Sequence, residues 1–322
     1  MKAIVQDTYG PPDVLHVEEI DQPVPKDDEV LVRVHAAAIH IGDWMLMMGT
    51  PYIMRLGAGL RRPRKRVPGF DVAGRIEAVG KDVKGFQPGD EIFGECNGSC
   101  AEYASVSEDK MALKPPALTF EQAAAVPVSG VTALRGIRDA GKVKPGHKVL
   151  INGATGGVGM FAVQIAKALG AEVTAVCSGG NAELARSLGA DHVVDYTQKD
   201  FTQGEGRYDL ILDNIASHSL ADSRRALTPT GTYISNSARS DGRWFGAFGR
   251  MAKAALASIF VRRQGRPFYS PVKKKDLSDL TELMESGKVS PVIDRTYPLS
   301  DAATAMEYIG QGHASGKTVI TV

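Results

Sequence analysis

The sequence predicts an α/β fold in which a doubly wound parallel sheet is joined to a partly open β-barrel. Three observations carry that expectation. The stretch Lys148-Val-Leu-Ile-Asn-Gly-Ala-Thr-Gly-Gly-Val-Gly159 sets an apolar run, Val149 to Ile151, directly before four glycines and a helical spacing over Phe161 to Leu169. From Val149 onward, strand and helix patterns alternate, which implies a parallel sheet. Before about residue 120 the chain carries instead many short β runs broken by Gly/Pro turns, the pattern of a barrel.

Taken in order, Val30 to Val34 and Gly74 to Val79 read as strands, separated by turns such as Pro-Lys-Asp-Asp, Val-Gly-Lys-Asp and Gln-Pro-Gly-Asp. Ala117 to Ala125 switches to helical composition, with Thr119 as N-cap and Gln122 as its capping-box partner. Val149 to Ile151 is an apolar, largely β-branched run, as expected of a strand buried on both faces. Ala171 to Cys177, His192 to Val194, Tyr208 to Asp213 and Gly231 to Ser235 are further strands, and Asn181 to Leu188 is a helix. The chain closes with helices over Lys275 to Glu285 and Ala302 to Ile309 and a strand over Lys317 to Val322. The expected division is 1–124, 125–265 and a return segment 266–322 that completes both domains.

Composition narrows the function. A net charge of +1 over 322 residues makes no general case for nucleic acid or an anionic membrane. The run Arg61-Arg-Pro-Arg-Lys-Arg66 is basic, but no aromatic interleaves it, and it reads as a solvated loop. No apolar run approaches the roughly 18 residues of a membrane span, and the N-terminus lacks a signal-peptide core. Three cysteines form no disulfide framework, so a cytoplasmic protein is expected. Trp244 to Phe260 carries a helical apolar stripe, read as a helix at the substrate mouth, a subunit contact or, less favourably, a membrane-surface segment.

Strand, glycine turn and helix together point to a dinucleotide. A side chain in the turn would block the pyrophosphate, and a helix N-terminus offers unpaired N–H donors and the positive end of its dipole. Gly153, Thr155, Gly156, Gly157, Val158 and Gly159 are the candidate residues.

The whole chain resembles the zinc-independent medium-chain dehydrogenase/reductases, on the quinone oxidoreductase (zeta-crystallin-like) side. The resemblance is carried by Gly10-Pro-Pro-Asp-Val-Leu15, Pro68-Gly-Phe-Asp-Val-Ala-Gly74, Val79-Gly80 and Pro88-Gly-Asp-Glu-Ile-Phe-Gly94. It continues through Ala101-Glu-Tyr103, Ala124-Ala-Val-Pro-Val-Ser-Gly-Val-Thr-Ala133, the glycine loop, Leu188-Gly-Ala-Asp191 and Gly316-Lys-Thr-Val-Ile320. It implies a GroES-like barrel built from both chain ends, a Rossmann domain between them and a cofactor cleft at their junction; a homodimer is expected beside it. Zinc-dependent relatives place a cysteine near Asp43 and a His-Glu pair after Pro68-Gly69; here His40-Ile-Gly-Asp43 and Phe70-Asp71 stand there. Only Cys96 and Cys100 lie where four thiolates would be needed, so no metal site is expected.

The strand ending Val176-Cys177-Ser-Gly-Gly-Asn181 has no acid for a ribose 2′-hydroxyl, which favours NADPH while leaving NADH possible. Ser178 and Asn181 are candidates for the 2′-phosphate, with Asn181 alternatively the helix N-cap. The family often has a cation where Gly180 stands. By resemblance Tyr196 lies beside the adenosine phosphate, Lys317 is a C-terminal cofactor contact, Thr132 touches the nicotinamide, and Asn214 lies near its ribose or ring. Thr132 and Asn214 are otherwise ordinary helix and turn residues. His40, Asp43 and Tyr52 are the candidates on the barrel side. His40 stands where the family often has Asn, and either donates to a substrate carbonyl or lines the wall. Asp43 fixes its loop through backbone N–H groups. The expected activity is NADPH-dependent reduction of a quinone or an α,β-unsaturated carbonyl by a soluble, small-molecule enzyme. A cofactor-binding redox sensor or interaction protein, or a zinc-free alcohol/aldehyde oxidoreductase, is the alternative.

Overall fold

A computed structural model of the chain describes residues 1–204, 206–237, 244, 268 and 270–322. The expected stripe over 244–260 lies outside the described residues, apart from an exposed Trp244. Two compact units emerge, Met1–Val131 with Pro271–Gly287 and Pro291–Val322, and Thr132–Ser270 with Lys288–Ser290.

The first unit is β-rich. β1 (Lys2–Gln6) and β2 (Leu15–Glu19) pair antiparallel. β3 (Glu29–Ile39) is its longest strand, followed by β4 (Asp71–Val79), β5 (Glu91–Glu95), β6 (Tyr103–Ser107) and β7 (Met111–Leu113). β3 pairs antiparallel with both β4 and β6, with irregularities in the β4 register between Leu31/Val32 and Val34/Ala36. Those bulges bend the strand, which lets one long element serve a curved sheet. Val30, Val32, Val34, Val72, Ile76, Ile92 and Val106 fill its interior. α1 (Ile41–Met48) follows β3, and α2 (Arg55–Ala58) is a single turn. α3 (Phe120–Ala124) begins with the expected capping box, Thr119 and Gln122 each bonding the other's backbone N–H.

α4 (Pro127–Leu134) leads into the second unit. There β8 (Lys148–Asn152), β9 (Glu172–Cys177), β10 (His192–Asp195), β11 (Tyr208–Asp213) and β12 (Leu227–Ser235) form one sheet, ordered β10-β9-β8-β11-β12. Every pairing in it is parallel. Central β8 is sealed on both faces, with Val149, Leu150 and Ile151 fully buried. α5 (Gly157–Ala168), α6 (Ala182–Ser187) and α7 (Leu220–Arg225) are its described crossover helices.

The return to the first unit supplies α8 (Lys274–Glu285), β13 (Ile293–Pro298), α9 (Ala302–Gln311) and β14 (Lys317–Thr321). β14 pairs antiparallel with β3, so the last strand of the chain completes the sheet begun near its start. Among the described residues no helix is long and apolar enough to cross a membrane.

Candidate active site

The second unit carries the glycine turn between β8 and α5. Gly153 adopts φ +74°, a conformation costly for other residues, and the N–H groups of Gly153 and Ala154 both donate to Val176 O at 3.1 Å. The turn is thereby pinned to the neighbouring strand. Gly156 is the N-cap of α5 and no side chain caps that helix, so its first amides have no side-chain capping acceptor. Thr155 is buried, whereas Gly157 and Val158 are half-exposed beside them. The glycines differ in role. A Cβ on Gly159 would lie 2.0 Å from Gly153 O and 2.7 Å from the carbonyl carbon of Ala154, so this glycine lets helix and turn pack. A Cβ on Gly156 would meet only Gly153 O, at 3.6 Å. The protein leaves that space open, and a pyrophosphate fits the space and the donors.

At the end of β9, Ser178, Gly179, Gly180 and Asn181 follow Cys177, whose carbonyl accepts at 3.1 Å from the N–H of Tyr196, a residue 59% exposed just past β10. Asn181 stands at the N-cap of α6 but its side chain makes no capping bond. Nothing lies within 4 Å of a Cβ built on Gly180. One feature escapes a strand-by-strand reading. Asp195 comes from β10, opposite Cys177, and a Cβ on Gly179 would sit 2.6 Å from its Oδ2. Hydrogen bonds from the backbone and hydroxyl of Thr197 hold its carboxyl below the usual range, burial opposes them, and the Gly179 N–H adds to them. β9 ends without an acid, yet a carboxylate lies beside Gly179.

Thr132 is 6% exposed, and its hydroxyl is 2.8 Å from that of Ser270. Asn214 is tied at both ends, donating to Asn152 O at 3.1 Å and accepting from Asn236 Nδ2 at 3.0 Å. Beneath it lies a network that sequence reading missed. Fully buried Asp213 accepts from Asn152 Nδ2 at 2.9 Å, from Tyr233 OH at 2.8 Å and from the Ile215 and Ala216 amides. Burial, then Asp213, pushes the Tyr233 phenol up. No local motif announces this network, because its members sit at the ends of three different strands.

In the first unit, His40 caps α1. Its Nδ1 accepts from the Gly42 N–H at 3.0 Å, and its own N–H donates to Asp43 Oδ2 at 2.8 Å. The same Nδ1 lies 3.3 Å from Asp43 Oδ2, and when it accepts from Gly42 the ring proton resides on Nε2. That Nε2 is buried with no partner, as is Asp43 Oδ1. Burial pushes the Asp43 carboxyl up, with His40 opposing it. Tyr52 starts a short turn and lays its ring 4.7 Å from the Arg55 guanidinium, which also lies 4.4 Å from Tyr9.

Lys317 corrects an expectation. Its ammonium is 1% exposed, donating to Asp71 Oδ2 at 2.8 Å and to Ser129 Oγ at 3.2 Å. It is a core ion pair of the first unit, with no free face for a phosphate. Asp71 also accepts from the Val128 N–H at 2.8 Å, so it anchors the start of α4.

The residues do not fit zinc. Phe70 stacks on His40 at 5.8 Å where a second ligand would stand, and Asp71 is engaged by Lys317. Cys96 and Cys100 are buried and free, and burial pushes both thiols up, against the thiolate a metal requires. Among the described residues the one cluster of potential ligands is Asp7, His16 and Glu18, and Arg66 pairs with both of its acids.

Residues 26–134 match the family described as Alcohol dehydrogenase GroES-like domain, and residues 188–320 the one described as Zinc-binding dehydrogenase. The chain is 34% identical to the 2-methylene-furan-3-one reductase of Solanum lycopersicum, over 99% of this chain and 79% of that protein. It is 32% identical, with the same coverage, to the chloroplastic NADPH-dependent alkenal/one oxidoreductase of Arabidopsis thaliana. The solved quinone oxidoreductase of Coxiella burnetii superposes with a TM-score of 0.87 at 30% identity, covering 100% of this chain and 99% of that one. A parallel sheet with an open glycine cradle, a GroES-like unit completed by the last strand, and near-full-length similarity to these reductases agree on one assignment. The chain belongs to the quinone oxidoreductase family of the medium-chain dehydrogenase/reductases.

Proposed function

We propose that the protein is an NADPH-dependent reductase that passes hydride to a quinone or to the β-carbon of an α,β-unsaturated carbonyl without zinc. The carrying observation is the space left open at Gly156, beside the uncapped N-terminus of α5. The reduced nicotinamide, when bound, supplies the hydride. Gly153 to Gly159 hold its pyrophosphate, with Ser178, Asn181 and Tyr196 around the adenosine phosphate. Thr132 lies toward the nicotinamide, and Asn214, tied at both ends, keeps the strand ends beneath it in order.

On the barrel side, hydride addition leaves negative charge on the acceptor oxygen, and a preorganised donor stabilises it. His40 Nε2–H is such a donor, buried and without a protein partner. Tyr52, braced by Arg55, is the second polar group offered to the acceptor. A homodimer and a cytoplasmic location belong to the same reading, and the location draws support from three cysteines that are all free.

Turnover of a panel of quinones and enones with NADPH tests the reading. Activity is expected, and His40→Ala should lower kcat by about a hundredfold, the usual loss for one such donor, with cofactor affinity unchanged. A panel with no turnover sinks the proposal.

Cofactor choice has its own expected result. Asp195 places a negative charge beside the pocket, and Gly180 supplies no cation to offset it. NADPH should therefore be preferred only modestly over NADH. Gly180→Arg has open space for its side chain and should strengthen NADPH selectively, an effect that shrinks as salt is added. Asp195→Asn should move the ratio in the same direction. Dissociation constants for both cofactors check this, and an unmoved NADPH/NADH ratio in both variants would place the 2′-phosphate elsewhere.

A further inference from the structure

A cavity of about 370 Å³ opens within the first unit. It is within the size range of small-molecule sites, roughly 300–1,000 Å³. Met47, Val67 and Phe70 give it an apolar lining, and Phe70 is the ring stacked on His40. Three acidic or basic side chains break that lining, beside the polar Gln6, Tyr9 and Asn97. Asp43 forms part of the wall with its Oδ1 buried and unpartnered. Arg64 and Lys65, both exposed, supply the other two.

These cations are not the solvated remainder of a paired loop. Arg66 is bound by Asp7 and Glu18, and Arg55 lies between Tyr9 and Tyr52. Arg64 and Lys65 form no ion pair among the described residues, and Arg61 and Arg62 next to them form none either. An apolar hollow edged by unpaired cations concentrates anions, because the low-dielectric wall focuses the field.

We propose that this cavity takes the anionic end of an aromatic acceptor, with its carboxylate or sulfonate on Arg64 and Lys65 and its ring against Met47 and Phe70. The proposal rests on the reductase reading above and names the acceptor class within it. Asp43 suits both sides of such a reduction. In its protonated form it donates to a quinone carbonyl, and as a carboxylate it accepts from the hydroxyl of the hydroquinone. An uncharged quinone gains the ring contacts and the Asp43 hydrogen bond but no ion pair, so discrimination resides in the two cations.

The test uses the full chain and direct binding of naphthalene-2-sulfonate and 2-naphthol, followed by turnover of 1,4-naphthoquinone-2-sulfonate and 2-methyl-1,4-naphthoquinone with NADPH. The sulfonate should bind about tenfold more tightly than the naphthol at low salt, with the advantage lost as salt rises. Arg64→Gln with Lys65→Gln should erase that preference and leave naphthol binding unchanged. Gly57 lines the same cavity and its Cβ direction is open, so Gly57→Phe should fill the space and weaken both probes. Circular dichroism and NADPH affinity confirm that each variant is folded. Equal binding of the two probes by wild type, or a preference that survives the double substitution, overturns the proposal. The two readings fail separately. Selective sulfonate binding with no quinone or enone turned over sinks the reductase reading and supports the anion site. Turnover of both quinones without a preference for the sulfonate sinks the anion site and supports the reductase reading.

Discussion

Lys317→Met should destabilise the protein by about 3–5 kcal/mol, the cost of removing one partner from a buried ion pair. Asp71 would keep its bond from the Val128 N–H but lose the ammonium 2.8 Å away, in a site where neither side chain is more than 1% exposed. An uncompensated carboxylate in such surroundings must take up a proton or admit water, and both weaken the sheet around β4 and β14. The companion variant separates charge from shape. Asp71→Asn combined with Lys317→Met removes both charges and retains an acceptor for Val128, so it should recover most of the loss. Urea unfolding of the four proteins in a double-mutant cycle measures the coupling. Additive effects would mean that the pair contributes nothing as a pair. NADPH affinity of folded Lys317→Met should match wild type; a large selective loss of NADPH would return this lysine to the cofactor.

What the sequence made legible divides along a physical line. The β8 strand, its glycine turn and α5 lie within about twenty residues, and the chemistry that makes them is local: an apolar β-branched run, bare backbone, then helical spacing. The Thr119–Gln122 capping box is local in the same way. Phe70 in place of an imidazole could be read from the motif around it. Lys317 could not, because its partner is 246 positions away and a lysine near a chain end looks like a solvated one. Asp195 was hidden for a related reason: it ends β10, and parallel pairing with β9 brings it beside Gly179. β3 is longer than the Val30 to Val34 run suggests, since Ala36, Ala37 and Ala38 carry no alternation and are fully buried by pairing with β4 and β14. His40 was visible as a departure, but its tautomer depends on the Gly42 amide, which only the fold supplies.

The two glycines of the turn should fail in opposite ways. Gly159→Ala places a methyl group 2.0 Å from Gly153 O and 2.7 Å from the carbonyl carbon of Ala154, both backbone atoms that cannot swing aside. The helix or the turn must move, and overpacking against backbone falls at the upper end of the usual range, about 3 kcal/mol. Unfolding should therefore shift to markedly lower urea, and cofactor binding should be lost along with the native turn. Gly156→Val meets no such obstacle. Its φ of −77° is ordinary for any residue, and the nearest atom to its Cβ is 3.6 Å away. The fold should stay within about 1 kcal/mol of wild type, the scale of a changed N-cap. Affinity is another matter, because the side chain would occupy the space that the backbone leaves for the pyrophosphate. NADPH and NADH should both weaken by more than tenfold, equivalent to more than about 1.4 kcal/mol. Equal loss for both cofactors matters here, since the pyrophosphate is common to them and the 2′-phosphate is not. Urea unfolding and dissociation constants on the same two preparations decide the matter. A folded Gly156→Val that binds NADPH as wild type does would show that the open space at the start of α5 holds something other than the dinucleotide.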